Sequence, residues 1–173
     1  MNRKKWIYAA KHAAYILAIV LIYVAQTTPG FLTVFGVKPN FVIPAAVCIA
    51  MLEGEYIGGL YGAFTGLLCD LGGFVLFGFN SIILMVTCVI VGLLTIYMLR
   101  SGVINYILLL AGVLLTRGLL DYLLNYVMWG YHDVWMVLAY SILPSIIYTV
   151  AASPLVYYLF KWMYERFEEQ IQA

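Results

Sequence analysis

Charged side chains are scarce in this sequence, and their scarcity decides the class of protein. Of 173 residues only 10% are charged and 65% are hydrophobic, whereas a soluble domain carries about 25% charged residues. A transmembrane helix needs ~20 apolar residues, so the chain has room for about six or seven spans and little else. The sequence therefore predicts an integral membrane protein without a soluble catalytic domain.

Basic patches, cysteine pairs and catalytic motifs are missing as well. The net charge is +1 and the basic residues are scattered or terminal, which argues against nucleic-acid binding. Cys48, Cys69 and Cys88 lie in apolar runs without a C-x-x-C motif, which is typical of packing residues rather than of disulfides or metal ligands. No nucleophile adjoins a base, and no glycine loop precedes a lysine. We therefore expect no enzyme activity, no cofactor and no metal site.

Glycine, by contrast, recurs at helical spacing. Gly54, Gly58, Gly62 and Gly66 follow one another every four residues, so a helix here carries a strip without side-chain bulk along which a second backbone can approach closely. Each glycine costs up to ~1 kcal/mol relative to alanine in a soluble helix, but close packing in lipid offsets much of that cost. These four glycines, the glycine strip, predict a helix-packing surface and a candidate partner interface.

The apolar runs predict an all-α membrane domain over residues 1–173 with six transmembrane helices. Their ranges are about 6–25, 41–52, 56–71, 77–99, 103–129 and 134–160. The broken segment 26–39 predicts an interfacial or re-entrant loop, and the tail after residue 160 predicts a short extension at the membrane surface. Lys11 and His12 are expected to reach the surface from the first span, while Glu53 and Glu55 mark a tight turn.

Basic residues collect on the cytoplasmic side of membrane proteins, and their distribution here gives an orientation. With six spans, Lys38 falls on one side and seven basic residues fall on the side of the termini. The seven are Arg3, Lys4, Lys5, Lys11, Arg100, Lys161 and Arg166. The sequence therefore predicts that both termini are cytoplasmic.

Three charged residues interrupt the apolar runs: Asp70 near the end of the third span, and Arg117 and Asp121 one turn apart in the fifth. A charged side chain within a span costs at least ~2.5 kcal/mol of insertion free energy, so its presence has to be explained by a structural or functional role. The six-span topology places all three residues in the outer half of the membrane. One interpretation is a functional site. The interpretation we favour is an Arg117–Asp70 or Arg117–Asp121 pair that fixes helix register.

Two motifs resemble a known family. The run Gly62 to Asn80, GAFTGLLCDLGGFVLFGFN, resembles the G-x-x-x-G-L-L-x-D…G…G-x-N signature of the MreD family, and the G-V-K-P-N of residues 36–40 is similar to that family's G-x-x-P-[DN] before the second span. The resemblance covers roughly residues 36–94, and the remaining spans match in hydropathy alone. MreD proteins are small membrane proteins of the bacterial rod-shape (elongation) complex.

The resemblance implies a compact six-helix bundle, similar to the substrate-binding S components of energy-coupling-factor vitamin transporters. It also implies a non-enzymatic scaffold in the bacterial cytoplasmic membrane. Such a scaffold binds the membrane helix of MreC and works with MreB filaments, the glycosyltransferase RodA and its penicillin-binding transpeptidase during sidewall peptidoglycan synthesis. The family contributes no catalytic residues.

The S-component kinship supplies the alternative function. An S component captures a small vitamin in an outward cavity, which Asp70, Arg117, Asp121 and Trp135 could line. The short outer loops argue against it, and the alanine pairs of the first span are ambiguous as a transporter-packing motif. A third class, a lipid flippase, would use the same charges but would need a continuous polar path that the sequence lacks.

Overall fold

The computed structural model describes residues 2–28, 39–72, 77–98, 102–123 and 143–172. This part of the chain is helical and contains no strand, so the predicted all-α class is confirmed. Its six helices are α1 (Asn2–Thr27), α2 (Val42–Glu53), α3 (Glu55–Leu71), α4 (Phe79–Tyr97), α5 (Val103–Tyr122) and α6 (Leu143–Gln172).

Four of these helices, α1, α4, α5 and α6, are long and apolar enough to cross a membrane. Length and composition therefore indicate a multi-pass membrane protein. The helices α2 and α3 have 12 and 17 residues, which makes them about 18 and 26 Å long, short of the ~30 Å of a bilayer's hydrocarbon core. Six complete spans thus remain a prediction.

The short helix α2 forms the centre of the bundle. All of its residues from Val42 to Met51 are buried, and α2 contacts each of the five other helices. Its sequence, VIPAAVCIAMLE, is apolar on every face, as expected of a helix that is enclosed on all sides. The core of the protein is therefore built around α2.

The glycine strip is covered by the chain itself. A Cβ atom added to Gly62 would lie 2.5 Å from the carbonyl oxygen of Leu84 in α4, and one added to Gly66 would overlap the backbone of Ser81. A Cβ on Gly58 would lie 2.6 Å from Cα of Ala50 in α2. The backbones of α3 and α4 therefore approach as closely as the glycine spacing predicts, and the strip is not an open surface for a partner.

Gly54 differs from the other members of the strip. It lies between α2 and α3 with φ +91°, and its N–H donates to the carbonyl of Ala50 at 3.1 Å. Residues with a side chain rarely adopt this conformation. Gly54 therefore makes the one-residue turn between two antiparallel helices, so its prediction as a helical packing residue is corrected to a turn residue.

The last helix is longer than predicted. α6 runs through Pro154 to Gln172 as one helix, where the sequence predicts a span that ends near residue 160 and a separate surface tail. Phe160 and Ile171 are both buried. The structure differs from the prediction because the final turns pack against the bundle, on the side where Lys11 of α1 lies.

Candidate functional site

Polar side chains gather at the two ends of the bundle. One group, the Asp70 end, contains Asn40, Asp70, Asn80, Arg117 and Asp121; Asn40 lies just before α2, and the others belong to α3, α4 and α5. The other group, the Lys11 end, is described below. Because successive helices run in opposite directions, each end collects residues that are far apart in sequence.

Asp70 caps the first turn of α4. The residue is 6% exposed, and its carboxylate accepts hydrogen bonds from the N–H groups of Gly78 at 2.9 Å, Asn80 at 3.3 Å and Ser81 at 3.4 Å. The first N–H groups of a helix have no partner within it, and the helix dipole favours an anion there. The charge of Asp70 therefore stabilises the reversal between α3 and α4.

Asn80 connects Asp70 to Arg117. Its Nδ2 donates to Oδ1 of Asp70 at 2.8 Å, and its Oδ1 accepts from Nε of Arg117 at 2.7 Å. Only this orientation of the amide offers a donor to the carboxylate and an acceptor to the guanidinium. The two opposite charges thus share a hydrogen-bonded chain without touching.

The direct pairs considered at the sequence level are not the geometry found. Within the described residues, the ion pairs within 4 Å join Lys11 to Glu53 and to Glu168, and Lys161 to Glu165. No ion pair within 4 Å joins Arg117 to Asp70 or to Asp121 in this part of the chain. Asp121 lies on α5 one turn beyond Arg117, and all three residues of the predicted buried polar cluster line the same cavity.

Asn40 caps the central helix in the same region. Its Oδ1 accepts from the N–H groups of Val42 at 3.2 Å and Ile43 at 3.4 Å. Its own N–H donates to Oγ1 of Thr149 in α6 at 3.2 Å, and its Nδ2 contacts Sγ of Cys69 at 3.5 Å. Asn40 thus ties α2 to α3 and α6.

The cavity at the Asp70 end has a volume of ≈ 500 Å³. Besides Asn40, Asp70, Asn80, Arg117 and Asp121, it is lined by residues from the end of α1, among them Tyr23 and Gln26. A smaller cavity of ≈ 160 Å³ adjoins Arg117 on the side of Ser145 and Thr149. The volume of the larger cavity, ≈ 500 Å³, is within the range of small-molecule sites.

The Lys11 end holds a buried ionic cluster that the sequence analysis missed. Lys11 is 1% exposed, and its Nζ lies 2.5 Å from Oε1 of Glu53 and 3.7 Å from Oε2 of Glu168. The hydroxyl of Tyr15 donates to the same Glu53 oxygen at 3.0 Å, and the ring of Tyr164 lies 4.3 Å from the ammonium. Lys11 therefore joins α1 to α2 and α6 instead of reaching the surface.

His12 is likewise engaged inside the protein. Its Nδ1 lies 3.1 Å from the hydroxyl of Tyr61, which donates to the His12 carbonyl at 3.2 Å. The sequence predicts that His12 reaches the membrane surface. In the structure it instead bonds to Tyr61 and so connects α1 to α3. The signal that could have revealed this end is the equal depth of Lys11 and Glu53 in the predicted topology.

The three cysteines are free thiols, with Cys48 and Cys88 buried, as expected of packing residues. Trp135 of the vitamin-site hypothesis lies outside the described residues, and so do Lys38 and Arg100. Comparison of the chain with family models, with curated proteins and with solved structures finds no match.

Proposed function

We propose that this protein is a non-enzymatic membrane scaffold of the MreD type, acting in the bacterial elongation complex. The observation that supports the proposal is the convergence of the motif residues. Asn40, Asp70 and Asn80, which carry the family resemblance, are up to 40 positions apart in sequence and line one cavity. Each of them holds a helix terminus or a neighbouring helix through hydrogen bonds.

The chemistry of these residues suits a structural role. The Asp70 carboxylate already accepts four hydrogen bonds from the start of α4, so its oxygens are occupied by contacts within the protein. These motif residues maintain the packing of the helix bundle. A scaffold needs such a rigid bundle, because its partners bind to a surface of constant shape.

The proposed partners are an MreC-like protein with one membrane helix and, through it, MreB, RodA and a penicillin-binding transpeptidase. The proposed location is the bacterial cytoplasmic membrane, in a six-span, S-component-like bundle with both termini cytoplasmic. In this orientation the Asp70 end faces outward. Because α4 covers the glycine strip, the partner helix would bind another face of the bundle.

The second candidate is an S component that binds a small vitamin. The observation in its favour is the ≈ 500 Å³ cavity at the Asp70 end, where Arg117 and Asp121 would contact a polar ligand. Asp70 and Asn80 already make hydrogen bonds within the protein, so fewer of their polar atoms are available to bind a ligand. This favours the scaffold over the vitamin carrier.

Depletion of the protein in its native host distinguishes the two candidates. A scaffold of the elongation complex predicts that rods become spheres and that a tagged copy co-purifies an MreC-like protein. A vitamin carrier predicts unchanged shape together with growth that fails on limiting vitamin and recovers when the vitamin is supplied. Rod shape retained after complete depletion would contradict the proposed function.

A further inference from the structure

A groove of ≈ 350 Å³ runs along the outside of the bundle between α1 and α3. It is lined by His12, Ile16, Ile57, Leu60, Tyr61 and Phe64. Leu60 is 60% exposed and Ile16 44%, so the groove is open to the surroundings of the bundle. Because the Tyr61 hydroxyl is bonded to His12, the groove offers mainly carbon atoms, which suit an apolar chain.

Exposed aromatic residues mark the level of the membrane surface near this groove. Tyr8 on α1, Tyr56 on α3, Tyr97 on α4 and Trp162 on α6 are all exposed at the Lys11 end. Exposed tyrosine and tryptophan concentrate where the hydrocarbon meets the headgroups. The groove begins next to Tyr56, at Ile57, and extends from there toward the Asp70 end, so it lies at the depth of acyl chains.

Basic side chains stand beyond this aromatic level. Lys4 and Lys5 are exposed on the first turns of α1. Lys5, His12 and Ile16 are spaced by seven and four residues, which places Lys5 on the same face of α1 as the groove. Lys5 is about 10 Å from His12 along the helix axis, since each residue adds ~1.5 Å. A phosphate at that level would meet positive charge.

From this arrangement we propose that the groove binds an anionic phospholipid of the surrounding bilayer. One acyl chain lies along Ile16, Leu60 and Phe64, and the phosphate is held by Lys5 with Lys4 beside it. Charge complementarity selects this occupant, because a transmembrane helix of a partner protein would fill the groove without needing the two lysines. The proposal does not depend on the proposed function of the protein.

The test is a binding titration of the purified full chain in detergent with phosphatidylglycerol and with phosphatidylcholine of the same acyl chains. Basic residues near an anionic headgroup contribute about fivefold each, so we expect K4Q/K5Q to bind phosphatidylglycerol about 30-fold more weakly. Its affinity for phosphatidylcholine should stay unchanged. The control R166Q removes an exposed charge from α6 and should retain the wild-type preference.

A second variant tests the groove itself. L60W fills the groove and should abolish saturable binding of either lipid, whereas L108W, at an exposed site on α5, should not. Equal affinity of the wild type for the two lipids, or unchanged binding by K4Q/K5Q, overturns the proposal even if L60W fails to fold. The proposal is also overturned if a photo-reactive residue at position 60 cross-links in cells to a protein and not to lipid.

Discussion

Asn80 lies between Asp70 and Arg117 and bonds to both, with its amide nitrogen 2.8 Å from the carboxylate and its amide oxygen 2.7 Å from Nε of the guanidinium. A neutral amide thus separates two opposite charges at the end of the bundle. The Asp70 carboxylate accepts its backbone hydrogen bonds from the first turn of α4, and Arg117 lines the cavity.

The first prediction concerns the unequal roles of these two charges. Asp70→Ala removes the cap of α4 and leaves buried N–H groups without acceptors, so we expect a loss of about 2–3 kcal/mol of stability. Arg117→Gln should cost about 1 kcal/mol or less, because the hydrogen bond of its Nε goes to the neutral amide of Asn80 and no ion pair within 4 Å is broken among the described residues. Thermal unfolding of both variants in detergent measures the difference.

A double-mutant cycle provides the control for this prediction. Asp70 and Arg117 should show little coupling, whereas Asn80 should couple to each of them, because residues joined by a hydrogen bond depart from additivity. A strong Asp70–Arg117 coupling that persists in an Asn80→Ala background would contradict the bridged geometry.

The second prediction uses two glycines with opposite surroundings. Gly66→Ala places a methyl group on the backbone of Ser81, while nothing lies within 4 Å of a Cβ at Gly112. Gly66→Ala should therefore destabilise the protein by forcing α3 and α4 apart. Gly112→Ala should stabilise it by up to ~1 kcal/mol through helix propensity. Thermal-shift measurements on the pair check the sign of each change, and similar shifts for both would show that α4 does not cover the strip.

The third prediction concerns the buried cluster at the Lys11 end. Glu53→Ala leaves the ammonium of Lys11 buried without its nearest partner, so we expect a loss of about 3–5 kcal/mol. Glu165→Ala breaks the exposed pair with Lys161 and should change stability by less than about 1 kcal/mol. Both are read from unfolding in detergent. If Lys11 instead reached water freely, the two variants would behave alike.

The fourth prediction concerns orientation. Single cysteines at positions 2 and 172, in a background with Cys48, Cys69 and Cys88 replaced by alanine, should resist a membrane-impermeant thiol reagent in intact cells. The reason is the excess of basic residues on the side of the termini. Labelling of either position from outside would reverse the proposed topology, and the alanine background alone serves as the control for folding.

The local features of the fold are predictable from the sequence because they depend on neighbouring residues. The helices Val42–Glu53 and Glu55–Leu71 lie where the sequence predicts spans over 41–52 and 56–71, because a glycine follows the last residue of each helix. That they cross the membrane stays a prediction. The glycine spacing likewise predicts close packing. It does not identify α4 as the neighbour, because a small-residue surface fits any helix of suitable shape.

The candidate site was predictable only in part. Asp70, Arg117 and Asp121 could be predicted as site residues because they are charges within apolar runs. Asn80 is neutral, and its position between Asp70 and Arg117 depends on how α4 begins after the turn. Lys11 and Glu53 are 42 positions apart, and their contact depends on the packing of α1 against the end of α2. Such contacts are set by tertiary packing and leave no local pattern.

The enclosed position of α2 constrains how the protein enters a membrane during synthesis. A helix of 12 residues is about 18 Å long and cannot cross a bilayer by itself. Gly54 joins α2 to α3 through a single residue, so the two helices would insert together as one hairpin. Such a hairpin is complete only when Leu71 has been synthesised, and α2 is enclosed on all sides only when α6 has packed against it.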